Sequence, residues 1–223
     1  MLVDPGKSIV VVEVAEPASG STGASRPRPS RRGAYQFLLA AFIVEAVLWG
    51  FPLTFGTFQT FYSTDGDFGT NAYLPIAGML AIGIPFIGAP LATALTTAYM
   101  KRRQLMISLG LFLDCLALVS ASFATHAWHV ILTQGAMYGL GFLLLYYPLL
   151  SLLNEWFVDN RGLAYGLLFA ANGLGGMILP IIVERLLLHY GSATTLRAFA
   201  MAAVRSHSRT DVAATESSAV TSP

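Results

Sequence analysis

Five long apolar stretches, almost free of charge, are what most constrain the fold of this chain. They lie near Gln36–Phe58, Ala72–Ala94, Leu105–Thr125, Val130–Leu153 and Gly162–Val183. Each matches the roughly 20 residues a helix needs to cross a hydrocarbon layer of about 30 Å. The 223-residue chain has 25 charged side chains, and only 13 of them fall in the 169 residues from Gln36 to Val204. A water-soluble domain of that size could not cover its surface with so few charges. Hydrophobic residues reach 55% and mean hydropathy is +0.62. The reading is an all-α, multi-pass integral membrane protein, because lipid leaves only helices or closed barrels able to satisfy their own backbone.

The flanks differ in kind. Residues 1–35 hold Pro17, Pro27 and Pro29, with Arg26, Arg28, Arg31 and Arg32 near the membrane, and are expected to be a disordered cytoplasmic tail. Residues 36–204 form the bundle. A sixth apolar stretch begins at Thr195 and stops at Arg205, so an incomplete sixth helix is expected, with 205–223 a second disordered tail. Orientation follows from Lys and Arg in short loops. The N-terminal flank and the Lys101, Arg102, Arg103 cluster are basic, whereas the first loop carries Asp65 and Asp67 and no base. This puts the N-terminus and the basic loops on the cytoplasmic side.

Small residues recur at helical spacing: Gly78, Ala81, Pro85, Gly88 and Ala92 in one span, Gly162, Gly166, Ala170, Gly173 and Gly176 in another, and Gly135 with Gly139 in a third. Such stripes let helix backbones approach in lipid. Net charge is +1, too small for a surface that neutralises a run of phosphates. The single Cys115 excludes an internal disulfide. No nucleophile elbow or zinc-protease motif occurs, so no enzyme, cofactor or metal is expected.

Three segments resemble a known family. Gly50-Phe51-Pro52-Leu53-Thr54-Phe55-Gly56-Thr57-Phe58 is similar to the end of the first helix of monocarboxylate transporters. Trp156-Phe157, Arg161, Leu163-Ala164, Gly166 and Ala170 resemble that family's signature entering helix five. Thr133-Gln134-Gly135 with Tyr138-Gly139 and Gly141 is similar to helix four of its fungal branch. The resemblance implies a major facilitator superfamily fold, of which this chain supplies most of the first six-helix half. It also implies proton-coupled or facilitated movement of a small organic anion of the monocarboxylate kind by alternating access, with the plasma membrane as the expected location. Asp159 and Asn160, Leu53, and the acid-free stretch between Gly88 and Lys101 depart from the family pattern. A membrane fragment without transport activity, or one that acts only as an interaction partner, is the alternative reading. Because half a path cannot alternate its access, the chain by itself is not expected to transport, and self-association is one way its exposed faces would be covered.

Within the spans, Glu45 stands out. An ionised carboxylate at that depth costs at least about 2.5–3.5 kcal/mol, so it faces the bundle or a wet cavity. Proton coupling and hydrogen-bonded packing both fit. Asp114, at similar depth in the third span, reads as a structural hydrogen bonder. Asn172 is a substrate contact or a helix cross-link, and Gln134, Tyr138 and Tyr146 are further cavity candidates. His126 and His129 beside Trp128 read as an interfacial cluster.

Overall fold

The computed structural model describes residues 31–64, 72–157 and 160–220, except for the side chains of 31, 32, 34 and 207–220. Five elements follow in order: α1 (Arg31–Thr64), α2 (Pro75–Ala98), α3 (Arg103–Ala121) after a 3₁₀ turn at Met100–Arg102, α4 (Ala127–Trp156), and a last helical element, Arg161–Val220. The last one turns at Gly191, whose φ of 73° and ψ of 174° no residue with a Cβ adopts cheaply. It is therefore two helices, α5 (161–190) and α6 (192–220). Among the described residues no strand occurs, and five helices are long and apolar enough to cross a membrane. All five fall on the stretches expected from the sequence.

Two expectations are corrected. The helix starts at Arg31 rather than Gln36. Beyond Arg205 the chain does not become a tail at once, since α6 stays helical through Val220. Hydropathy marks where a helix can sit in lipid, not where winding stops, and no Gly or Pro interrupts the chain from Ser192 to Val220. Residues 1–30 and the Asp65/Asp67 loop lie outside the described residues.

Packing follows side-chain size. α1 is the most buried helix, packed mainly against the α5–α6 element and touching α2 and α4 more lightly. Its Phe51 and Phe58 rings meet Phe199 of α6 at 5.8 and 6.5 Å. α2 and α4 pack closely through Gly135 and Gly139. A Cβ at 139 would sit 2.9 Å from the Leu80 carbonyl, and one at 135 would sit 3.0 Å from Ala77. The stripe on α5 behaves differently. A Cβ at Gly162, Gly166 or Gly173 would meet nothing within 4 Å, whereas Gly176 of the same stripe and its neighbour Gly175 face α1, a Cβ there standing 3.0 Å from Leu53 Cδ1 and from the Ala46 carbonyl respectively. A 3–4 spacing identifies a smooth face but not what covers it.

The ends of the bundle are tied by polar contacts. Arg103 bridges Glu155 at 2.8 Å and donates to Ser151 at 3.2 Å, joining the start of α3 to the end of α4. Lys101 and Arg102 remain exposed, so the basic cluster divides into one structural and two outward-facing charges. At the opposite end, Arg197 of α6 donates to Ser122 and covers the Phe123 ring. Accessibility tags placed at Gly66 and Lys101 should report opposite sides of the membrane. A report from the same side would break the topology.

Candidate functional site

Glu45 is fully buried on α1, and among the described residues neither of its carboxyl oxygens has a hydrogen-bond partner. One turn on, the Trp49 indole N–H approaches it without closing a bond and is itself unpartnered. Rings from α2 and α4 surround Trp49: Phe142 at 5.0 Å and Tyr146 at 5.9 Å, both edge-on, and Phe86 at 6.0 Å. Edge-on pairs at such distances are favourable, so the indole is held with its N–H beside the acid. A carboxyl and an N–H buried together without partners can take a proton, a water or a polar ligand group, because an unmet buried group is costly. Trp49 was not among the sequence candidates. Its position four residues after Glu45, on the same helical face, was the available signal.

The other candidates divide. Tyr138 is buried, and its hydroxyl donates to the Leu48 carbonyl at 2.7 Å. Leu48 lies four residues before Pro52, which has no N–H to give, so the tyrosine satisfies the carbonyl that the proline leaves open. Gln134 sits in a turn of α4 wound as a π-helix, Ile131–Met137, a rare geometry that gathers at functional sites. Its amide N–H donates to the Tyr62 hydroxyl at 2.7 Å, while its carbonyl oxygen is buried and unpartnered. Tyr146 is half-buried beside Trp49, and Asn172 is half-buried on α5. The arrangement thus brings Glu45 and Tyr146 together at Trp49. Gln134 and Tyr138 instead join α4 to α1.

The motif residues sort by the same geometry. Gly50 is closed by Leu179, Phe55 packs over Gly78, and Pro52 is buried, whereas Gly56, Arg161 and Gly166 are exposed. Asp114 is buried on α3 with its carboxyl beside the Phe142 backbone N–H of α4, though no hydrogen bond to either oxygen closes at full geometry. Tyr138→Phe should leave the Leu48 carbonyl unpaired and cost about 1–3 kcal/mol, measured by thermal unfolding in detergent. A change near zero would show that another donor replaces the hydroxyl.

A helical bundle with a buried, unpartnered acid on its central helix and no strand among the described residues is the architecture of a polytopic membrane domain. The comparisons agree. The chain is 30% identical to the MFS-type transporter pynF of Aspergillus niger over 87% of its own length and 46% of the relative's. It is 29% identical to the probable transporter MCH2 of Saccharomyces cerevisiae, over 76% of this chain and 36% of that one. It is also 29% identical to the agnestins efflux protein AgnL12 of Paecilomyces divaricatus, over 84% and 43%. No family model matches. The chain belongs to the major facilitator superfamily transporters, and it spans about half the length of the curated relatives it matches.

Proposed function

We propose that this bundle is the first half of a proton-coupled transporter of small organic acids, working by alternating access in the plasma membrane. Glu45 is its proton carrier, Tyr146 and Asn172 are its cavity residues, and Gln134 and Tyr138, expected there from the sequence, hold α4 against α1 beside it. The observation that carries this reading is the buried, unpartnered Glu45 carboxyl beside the Trp49 N–H. α2, α4 and α1 from Gln36 onward contain no Lys or Arg, so an organic anion meets no fixed countercharge along these spans. A proton travelling with the anion removes the cost of moving its charge through low dielectric. Pairing an acid with a proton needs a carboxyl that can gain and lose one out of contact with bulk water, and Glu45 fits that requirement.

The test joins this chain to the second half of the Aspergillus niger relative in sealed vesicles. Saturable lactate or pyruvate movement that accelerates with an inward proton gradient is the expected result, with none from the chain alone. One relative is named for efflux, so both directions are assayed. Rates equal to protein-free vesicles at every pH would overturn the proposal.

A further inference from the structure

We propose that Asp114 and Tyr138 form a second proton site, separate from Glu45, that controls the bend of α1 at Pro52. Asp114 lies mid-way along α3, its carboxyl pressed against the backbone of Gly141 on α4. Gly141 is three residues after Tyr138, on the same face of α4. Asp114 and Tyr138 line one small, mainly apolar cavity of about 20 Å³, together with Leu48 and Phe51 of α1 and Ser206 of α6. Both Asp114 oxygens are buried, with the Phe142 backbone N–H nearby but no hydrogen bond closed, while the Tyr138 hydroxyl spends its one proton on the Leu48 carbonyl at 2.7 Å.

The switch follows from counting donors. A phenol has a single O–H. When Asp114 is a neutral acid, its own O–H can be donated toward the Tyr138 oxygen, and Tyr138 continues to donate to Leu48. When Asp114 loses that proton to water, the carboxylate becomes the stronger acceptor, since charge-assisted bonds are about twice as strong as neutral ones. The Tyr138 proton then turns to Asp114, and the Leu48 carbonyl, which Pro52 cannot serve, is left open. A buried open carbonyl is costly, so α1 must move there to satisfy it. Proton release on α3 is thereby converted into a change of bend in the helix that carries Glu45.

The titratable groups facing Asp114 are Tyr138 from α4 and Cys115 beside it on α3. α1 and α6 give the cavity only apolar side chains and the Ser206 hydroxyl among the described residues, and Glu45 does not line it. The inference goes beyond the transport reading and does not depend on the substrate.

The full chain, in nanodiscs with Cys115→Ser, is spin-labelled at Leu39→Cys and Thr60→Cys, both exposed positions on opposite sides of Pro52. On a straight helix these lie roughly 30 Å apart. The distance is measured across a pH series, and the infrared stretch of protonated carboxyls is recorded on the same samples. The expected result is a pH-dependent distance that becomes constant in Asp114→Asn and in Tyr138→Phe, with one protonated-carboxyl band lost in Asp114→Asn but kept in Glu45→Gln. A distance that never varies with pH, or that still varies in Asp114→Asn, would overturn the proposal. If the Asn variant does not fold, the infrared band in the parent chain decides: a carboxyl band that survives Glu45→Gln and titrates together with the distance supports the switch, and its absence refutes it.

Discussion

Glu45→Gln is expected to bring proton-linked uptake by the joined transporter down to the protein-free background while membrane insertion and folding stay near those of the parent. Glutamine keeps the shape and hydrogen-bonding capacity of the neutral acid but cannot titrate. Glu45 sits without a partner against Trp49, so the amide gains a place to donate or accept and breaks no existing bond. Insertion should not suffer, because any fraction of the chain inserted with an ionised carboxylate at mid-membrane carries a penalty of at least about 2.5–3.5 kcal/mol that glutamine does not. The measurement is initial uptake at several external pH values, set beside membrane yield of the two proteins. Unchanged pH dependence in the Gln variant would reduce Glu45 to a packing residue and remove the main support for proton coupling. Loss of yield together with uptake would point the same way.

Gly110→Leu is expected to disrupt the bundle. The close approach of α3 to α4 passes through this residue. A Cβ there would stand 2.6 Å from the Leu145 backbone nitrogen and 2.8 Å from the Gly141 carbonyl. Both neighbours are backbone, so relief requires the helices to part rather than a side chain to rotate. Overpacking of this kind costs about 1–3 kcal/mol and occasionally more, and the three carbons beyond Cβ place the effect at or above the top of that range. Separation would also open the Asp114 pocket, which depends on the same contact. Gly166→Leu is the control: a Cβ there meets nothing within 4 Å, and a change within about 0.5 kcal/mol is expected. Thermal aggregation followed by size-exclusion chromatography would rank the two. Equal tolerance of both leucines would show that α3 and α4 are not held at this distance.

Much of the architecture was legible because lipid makes the helix period and the span length nearly obligatory. The five crossing helices needed only hydropathy, and the position of Glu45 inside one of them needed only counting. Its neighbour Trp49 was equally within reach by helical spacing. Tyr62 as the partner of Gln134, and Leu48 as the partner of Tyr138, were not, because each pair joins residues 72 and 90 positions apart. The π-wound turn at Ile131–Met137 leaves no composition signal either, since its residues suit an ordinary helix equally well.

The sequence by itself determined that the chain is a polytopic helical membrane protein, where its spans lie and which few polar groups they bury. It could do so because these properties depend on local composition and on the cost of polar groups in hydrocarbon, which each segment meets alone. Only the tertiary structure decided which glycines are contacts. Gly110, Gly135 and Gly139 take a neighbouring helix, whereas Gly162, Gly166 and Gly173 stay open. It also decided that Tyr138 serves the carbonyl left by Pro52 and that Asp114 shares its cavity. These outcomes depend on the rotation and depth of one helix against another. Helix rotation in lipid is settled by close packing across the contact, and so by residues from distant parts of the chain acting together.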